Sequence, residues 1–318
     1  NKKAISPKNG FNGASFTSNY KYFIHTFEDS NTPLIYSLRE SKTGELVRRI
    51  MDNNELLKKL ESYNLSRKDF SQINLNGQDL NMWMIKPTNF NPKKKYPVLI
   101  YQYSGPGSQE VENRWNNNRD FWHQLLAQKG YIIVCVDGRG TGFKGKKFKK
   151  VTYGQLAKYE TEDQISFAKY LSKLPYIDKN RIGIWGWSYG GLISTNSILK
   201  GNDVFSLAIA VAPVTNWRFY DTIYTERFMG LPKNNSDGYD LNSPLNFAHL
   251  LEGDFLLIHG SADDNVHLQN TMRMVEELIQ QDKQFEWMIY PDKNHGIYGG
   301  NTSIHLYNKM TNFIEKKL

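Results

Sequence analysis

Apolar and polar positions change their spacing at two points along the chain. Before about residue 50, short apolar runs bounded by turn residues predict strands at residues 20–26, 34–38 and 46–50. Three or four such strands are too few for an independent domain, but four strands make up one blade of a β-propeller. Residues 53–63 then predict a helix, because Leu56, Leu57 and Leu60 fall on one face of it.

From about residue 68 the pattern becomes an alternation of strands and helices. It begins with a hairpin, which Asn76-Gly77 predicts between the apolar runs 70–75 and 80–85. Further strands are predicted at residues 98–103, 131–136, 181–185, 205–211, 255–258 and 285–290. Helices are predicted at residues 120–128, 162–174, 189–200, 268–281 and 304–317. Apolar strands that alternate with helices favour an α/β fold, in which a mostly parallel central sheet has helices on both faces.

The clearest candidate for a catalytic residue lies in the segment Gly186-Trp187-Ser188-Tyr189-Gly190. It has the pattern G-x-S-x-G, and it lies between a predicted strand and a predicted helix. In that context a serine sits on a sharp strand-to-helix turn, with its hydroxyl raised above an α/β sheet. The pattern alone is common by chance, and its alternative interpretation is a structural turn. With its flanking elements it predicts a nucleophile, Ser188, on an α/β-hydrolase fold.

A nucleophilic serine needs a base, and the base needs an acid that orients it. In α/β-hydrolases these residues follow the serine in the order acid, then histidine. The loop after the predicted strand 285–290 contains His295, which we predict to be the base. The loop after the predicted strand 255–258 contains both Asp263 and Asp264. Either could face the imidazole, so the spacing alone leaves the acid open.

Composition narrows the class of protein. The net charge of +8 is spread along 318 residues among interspersed acids, which argues against a nucleic-acid partner. The densest basic cluster, residues 144–150, is predicted to be a solvated loop. The single cysteine, Cys135, lies in an apolar run and is expected to be a buried thiol. No apolar run approaches the ~20 residues that span a membrane.

Several stretches resemble one family. Residues 185–191, around Ser188, are similar to the nucleophile region of the dipeptidyl peptidase IV family of prolyl-oligopeptidase-type serine peptidases. Further stretches similar to that family lie at residues 103–107, 137–142, 217–232 and 259–267. The resemblance covers the chain from about residue 65, and the preceding piece resembles the last blade of the family's β-propeller. It implies three parts: residues 1–52 as a partial propeller blade, 53–64 as a linker helix and 65–318 as an α/β-hydrolase peptidase domain.

The resemblance also implies roles for individual residues. The implied catalytic triad consists of Ser188, Asp263 and His295. Asp264 is then structural, and the oxyanion hole is made by the Tyr103 hydroxyl and the backbone N–H of Tyr189. Without the resemblance, Tyr103 is merely an aromatic residue at a strand end. The implied substrate-binding residues are Val214, Trp217, Tyr220, Tyr224, Asn265 and Val266. All of them except Asn265 are expected to form, together with Tyr189, a flat apolar slot for a proline ring. Asn265 is expected to donate to a substrate carbonyl; the alternative for the aromatic residues is a cluster in a cap or interface.

The implied activity is removal of N-terminal dipeptides with proline, or sometimes alanine, in the second position. One alternative is a related prolyl oligopeptidase, acylaminoacyl peptidase or esterase with the same triad. Another is an inactive relative that acts as a binding module. The family holds the free amino terminus of its substrate with paired acids on the propeller side, and no such pair can be assigned here. Glu28 and Asp29 are adjacent, but we expect them to be solvated.

The resemblance implies a peptide substrate and no metal or cofactor. It further implies a homodimer formed through the hydrolase domain. It suggests a periplasmic, secreted or membrane-anchored extracytoplasmic location. The chain opens on Asn1-Lys2-Lys3, which resembles the cut edge of a longer protein.

Overall fold

The order of strands and helices follows the predicted alternation over most of the chain. A computed structural model describes residues 5–6, 9–115 and 118–318, so residues 1–4, 7 and 8 of the predicted propeller piece lie outside the described residues. The strands are β1 (Phe11–Phe16), β2 (Tyr22–Asp29), β3 (Thr32–Glu40), β4 (Leu46–Met51), β5 (Lys68–Leu75), β6 (Gln78–Ile85), β7 (Tyr96–Tyr101), β8 (Ile132–Asp137), β9 (Ile177–Trp187), β10 (Leu207–Val211), β11 (Asp254–Gly260) and β12 (Glu286–Tyr290).

The α-helices of the described residues lie mostly between the strands of the second half. They are α1 (Asn54–Glu61), α2 (Asn118–Gln128), α3 (Lys146–Lys150), α4 (Lys158–Leu171), α5 (Tyr189–Lys200), α6 (Thr222–Met229), α7 (Ser236–Asp240), α8 (Gln269–Gln280) and α9 (Thr302–Lys317). Short 3₁₀ helices occupy Trp217–Phe219, Pro232–Asn234 and Pro244–Leu250.

The chain divides into two compact units. The first contains the residues up to Asp69 together with Ile85–Asn89 and Glu112–Lys129. The second contains Phe70–Met84, Phe90–Val111 and Gly130–Leu318. These units are defined by contacts within the chain, and the predicted division into 1–52, 53–64 and 65–318 stays a prediction.

The first unit holds a four-stranded antiparallel sheet in the order β1–β2–β3–β4. Alternate residues of β2 are buried, namely Phe23, His25 and Phe27, as expected for a strand with one covered face. Three of these strands were predicted from their apolar runs. β1 was not, because its residues include Asn12, Gly13 and Ser15 and it is largely exposed.

The expectation that Glu28 is solvated is wrong. Its side chain is buried, and its Oε1 lies 2.6 Å from Nε of Arg114 within the same unit. The pairing register of β2 with β3 shifts between Phe27 and Asp29. Such an irregularity breaks the alternation of sides, so that two consecutive residues, Phe27 and Glu28, are both buried.

The second unit is built on an eight-stranded sheet in the order β12–β11–β10–β9–β7–β8–β6–β5. The six strands from β12 to β8 are paired in parallel. β7, β8 and β10 are buried along their whole length, which explains their continuous apolar sequences. Cys135 lies in β8 and is buried, as predicted.

The basic cluster at residues 144–150 is solvated as predicted, but it is not entirely a loop. It contains the short helix α3, whose lysines are exposed, instead of an irregular loop. Its lysines lie too close together for an apolar periodicity to appear, so the sequence pattern gives no helix signal there.

Candidate active site

Four predicted site residues lie just beyond the ends of four strands in the second unit. Tyr103 follows β7, Ser188 follows β9, Asp263 follows β11 and His295 follows β12. The four strands run parallel in one sheet, so their carboxyl ends lie at the same edge. This edge is where open α/β sheets place their ligand sites.

Ser188 occupies the sharp turn between β9 and α5. Its backbone has φ 62° and ψ −117°, a conformation that residues with a Cβ rarely adopt. Close backbone approaches make glycine necessary on either side. A Cβ on Gly186 would lie 2.5 Å from the carbonyl oxygen of Gly190, and one on Gly190 would lie 2.5 Å from that of Gln102. The turn therefore has the strained geometry of a nucleophile elbow, and Ser188 remains partly exposed.

The imidazole of His295 and the carboxylate of Asp263 form a close polar contact. Nδ1 of His295 lies 2.7 Å from Oδ2 of Asp263. Oδ1 of the same carboxylate accepts hydrogen bonds from the backbone N–H groups of Asn265, at 3.0 Å, and Val266, at 2.9 Å. Asp264 is exposed, whereas the side chain of Asp263 is fully buried. Of the two candidate acids, the one that faces the imidazole is therefore Asp263.

A second histidine contacts the same carboxylate. Nε2 of His259 lies 3.2 Å from Oδ2 of Asp263 and 2.7 Å from the carbonyl oxygen of Val266, and its Nδ1 lies 2.7 Å from Oγ1 of Thr271. Burial alone would raise the pKa of Asp263, but hydrogen bonds from His259 and His295 outweigh it and hold this pKa well below its usual range. No sequence motif assigns a role to His259; its place at the end of β11, just before the acid loop, was the signal available.

A residue of the nucleophile motif also contacts the loop that carries the predicted base. Nε1 of Trp187 donates a hydrogen bond of 2.9 Å to the backbone carbonyl oxygen of His295. Trp187 is the variable residue before the serine in G-x-S-x-G, and the motif itself assigns no function to it. This contact ties the loop that carries the imidazole to the elbow that carries Ser188.

Tyr103 and Tyr189 are the predicted oxyanion donors. Strand β7 ends at Tyr101, so Tyr103 lies beyond the strand and not at the end of it as predicted. Burial raises the pKa of Tyr103 and so does Glu110, whereas a hydrogen bond with the side chain of Ser188 lowers it; the net shift is upward. The phenol therefore keeps its proton near neutral pH and can act as a donor.

A buried polar network lies beneath the loop that carries Tyr103. Nε2 of Gln102 donates to the carbonyl oxygen of Gly190 at 2.7 Å and to Oγ of Ser194 at 3.0 Å. Its Oε1 accepts a hydrogen bond of 3.1 Å from Ser104, whose φ is 65°. Gln102 thus links this loop to the first turns of α5, a role that sequence reasoning missed because a lone glutamine matches no motif.

The predicted substrate-binding residues lie in one aromatic cluster. Val214, Trp217 and Val266 are buried in it together with Tyr189, and Tyr220 and Tyr224 are partly buried against it. The ring centroid of Trp217 lies 5.8 Å from that of Tyr220 and 5.8 Å from that of Tyr224. The packed rings of Tyr189, Trp217, Tyr220 and Tyr224 form a rigid apolar surface, which we call the aromatic wall.

Asn265 is the polar member of the predicted set. Its side-chain oxygen accepts a hydrogen bond of 2.8 Å from the hydroxyl of Tyr220. With that oxygen engaged, the amide N–H₂ is the part of Asn265 that can donate to a ligand.

Neither a membrane helix nor a metal cluster is found in the described parts of the chain. No helix within 5–6, 9–115 and 118–318 is long and apolar enough to cross a bilayer. Within the same ranges, no group of three His, Cys, Asp or Glu side chains is arranged to hold a metal ion.

The sheet topology and the strand-to-helix elbow define the class of the protein, which is an α/β-hydrolase. More narrowly, the chain belongs to the prolyl oligopeptidase family, which it matches over residues 117–318. The family resemblance seen in the sequence is thereby confirmed.

Proteins similar to this chain are named as dipeptidyl peptidases or dipeptidyl aminopeptidases. The chain is 39% identical to a probable dipeptidyl-aminopeptidase B of Neosartorya fischeri over 313 residues, which is 96% of this chain and 34% of that protein. It is 48% identical to the crystal structure of Porphyromonas gingivalis dipeptidyl peptidase 4, with a TM-score of 0.96 over 99% of this chain and 44% of that one. A putative dipeptidyl aminopeptidase IV of Bacteroides ovatus is 30% identical, with a TM-score of 0.92 over 99% of this chain and 45% of that one. The chain therefore spans less than half the length of each of these relatives.

Proposed function

We propose that this chain is the catalytic part of a serine exopeptidase that releases N-terminal dipeptides, with proline or alanine preferred in the second position. The observation that carries the proposal is the 2.7 Å contact between His295 and Asp263, at the sheet edge where Ser188 occupies a strained elbow. The names of the relatives, dipeptidyl-aminopeptidase and dipeptidyl peptidase, support release of dipeptides over release of single residues.

In the proposed first step, Oγ of Ser188 attacks the carbonyl carbon of the scissile bond. The hydroxyl proton passes to Nε2 of His295. Asp263 holds the proton on Nδ1 of the imidazole, so that Nε2 is left as the acceptor, and it stabilises the imidazolium that forms. The low pKa of Asp263 keeps this carboxylate ionised throughout.

The negative charge that develops on the carbonyl oxygen is stabilised by two donors. These are the Tyr103 hydroxyl and the backbone N–H of Tyr189 at the start of α5, where the helix dipole also favours negative charge. When the carbon–nitrogen bond breaks, His295 gives its proton to the leaving amine. Water then hydrolyses the acyl-enzyme with His295 again acting as the base.

Preference for proline follows from the aromatic wall. A pyrrolidine ring is flat, apolar and already cyclic, so it can lie against Trp217, Tyr220 and Tyr224 with little loss of conformational entropy. Alanine is small enough to enter the same space but leaves part of the apolar surface uncovered. A branched side chain such as leucine does not match the flat shape.

Two further features stay predictions from the family resemblance. One is a homodimer formed through the hydrolase domain, and the other is an extracytoplasmic location.

Labelling with a fluorophosphonate tests the nucleophile. Attack by Oγ of Ser188 on phosphorus expels fluoride, so we expect one label on Ser188 in the wild type and none in Ser188→Ala. Ser172→Ala, at the exposed end of α4, is the control and should be labelled like the wild type. Release of p-nitroaniline should be fastest from Gly-Pro-, slower from Gly-Ala- and slowest from Gly-Leu-p-nitroanilide. A label that persists in Ser188→Ala, or equal rates with proline and leucine, would contradict the proposal.

A further inference from the structure

A buried carboxyl group lies against the side chain of Tyr189. Glu160, in the first turn of α4, is fully buried. Its Oε1 accepts a hydrogen bond of 2.7 Å from the hydroxyl of Tyr189. That hydroxyl also accepts a hydrogen bond of 3.2 Å from the backbone N–H of Ala157, the residue with φ 72° that precedes the helix. The tip of the Tyr189 ring is thus held at two points by a segment that carries none of the predicted catalytic residues.

The surroundings of Glu160 favour its protonated form. Burial raises the pKa of Glu160 to about 8 and the charge of Asp163 acts in the same direction, against hydrogen bonds from Tyr189 and the backbone. At neutral pH the protonated form therefore predominates, and glutamine keeps the size of this side chain and a carbonyl oxygen that can accept from Tyr189. Burying a polar group costs folding free energy, whereas burying an apolar residue of similar volume does not.

The residue that Glu160 holds takes part in two features of the site. The backbone N–H of Tyr189 is the proposed oxyanion donor, and its ring belongs to the aromatic wall. The ring centroid lies 5.4 Å from that of Trp217 and 6.1 Å from that of Tyr103. The ring and the backbone N–H belong to one residue, so a displacement of the packed ring that rotation about χ1 and χ2 does not absorb is transmitted to the backbone N–H. Donors in an oxyanion hole are effective only when they are fixed before the reaction.

We propose that Glu160 is a positioning residue, which fixes the oxyanion donor and the pocket wall together by holding the hydroxyl of Tyr189. This inference rests on the proposed function, because it takes the role of the Tyr189 N–H from it. The competing explanation is that Glu160 serves only the stability of the fold.

Saturation kinetics of covalent inactivation separate these explanations. The probe is Gly-Pro diphenyl phosphonate: Oγ of Ser188 forms a bond to phosphorus, a phenolate leaves, and the maximal rate kinact reports the alignment of the site. The half-saturating concentration KI reports the pocket. In Glu160→Ala the ring of Tyr189 loses its anchor, so we expect kinact to fall about tenfold, less than the ~10²–10³ that loss of an oxyanion donor costs. KI should rise as well, by about two- to fivefold, because the wall is looser.

Two variants provide matched controls. Glu160→Gln keeps an acceptor for the hydroxyl of Tyr189 and should restore kinact to within about twofold of the wild type. Glu162→Gln alters a partly exposed acid of the same helix that pairs with Arg139, and it should leave both constants unchanged. Thermal midpoints of all variants, and counts of labelled sites, correct each rate for the folded fraction.

A double-mutant cycle decides whether the effect passes through the hydroxyl. Tyr189→Phe should lower kinact as much as Glu160→Ala does, and adding Glu160→Ala to Tyr189→Phe should have no further effect on kinact. The inference would be overturned by additive effects, by full kinact in Tyr189→Phe, or by a Glu160→Ala variant that loses thermal stability but keeps its kinact. If Glu160→Ala does not fold, Tyr189→Phe and Glu160→Gln still give this answer. A wild type that the phosphonate does not label at all would instead contradict the proposed function itself.

Discussion

At the scale of single residues, polar contacts fix the carboxylate of Asp263. Both its oxygens are engaged, one by two backbone N–H groups and the other by His259 and His295. The carboxylate is therefore fixed in place before any substrate arrives. A histidine that must alternate between neutral and protonated forms depends on such a fixed partner.

Replacing the two neighbouring acids tests this difference. Asp263→Asn keeps the size of the side chain but removes the charge that holds the imidazole tautomer, and we expect turnover to fall by ~10⁴. Asp264→Asn, at an exposed position, is the matched control and should change turnover less than about threefold. The measurement is the rate of fluorophosphonate labelling or of Gly-Pro-p-nitroanilide hydrolysis. Similar mild effects of both substitutions would mean that Asp263 does not orient the base.

Some residues of the site give no sequence signal. Glu160 and Gln102 belong to no motif, and they contact the elbow only because α4 and the loop after β7 pack beside α5. The sequence pattern also cannot choose between Asp263 and Asp264, because the choice depends on the direction in which a turn points two adjacent side chains. The places of Ser188 and His295 after their strands could be predicted, because the order of a triad fixes the elements that precede its members; their catalytic roles stay predictions.

At the scale of elements, the long apolar segments were predicted well. The predicted limits of α5 agree with the structure, and β11 and β12 lie within two residues of their predicted positions. The segment between β10 and β11 was not predicted: it contains α6, α7 and three short 3₁₀ helices. Elements of three to eight residues are too short for a periodicity to show. Capping contacts determine where they begin and end; one example is the hydrogen bond from the backbone N–H of Tyr224 to the side chain of Asp221.

The elbow is the element whose local geometry matters most for the proposed reaction. In Gly190→Ala the new Cβ would lie 2.5 Å from the carbonyl oxygen of Gln102, so the backbones of both elements must separate. We expect a loss of at least 2 kcal/mol in the free energy of unfolding, which is about the cost of overpacking a core. Phosphonate labelling should fall at least tenfold, because the loop of Tyr103 is displaced.

Gly77→Ala is the matched control for that substitution. A Cβ at Gly77 meets no atom within 4 Å, and only its φ of +71° opposes the change. The expected cost is about 1 kcal/mol, with unchanged labelling. Urea denaturation and labelling rates measure both effects. If Gly190→Ala were no worse than Gly77→Ala, close packing at the elbow would not be what holds Ser188 in place.

At the scale of the whole molecule, the site described here covers only part of the proposed recognition. The triad, the oxyanion donors and the aromatic wall all lie in the second unit. The family resemblance implies a separate acidic pair for the substrate's amino terminus, and no such pair could be assigned in the sequence. Near the aromatic wall, Asp221 already caps α6. Chemistry and amino-terminal recognition are therefore expected to be separable.

Comparison of free and blocked substrates tests this separation. Binding energy from a remote group normally helps to position the scissile bond, so catalytic efficiency and selectivity should fall together where the substrate's amino terminus is not held. We expect the 318-residue chain to react with small fluorophosphonates but to hydrolyse Gly-Pro- and acetyl-Gly-Pro-p-nitroanilide at low rates within about tenfold of each other. Porphyromonas gingivalis dipeptidyl peptidase 4, assayed in parallel, is the reference for rejection of the acetylated substrate. If this chain rejected it equally, the amine anchor would lie within its own residues, and Asp221→Asn and Glu226→Gln would then show which carboxylate binds the amine.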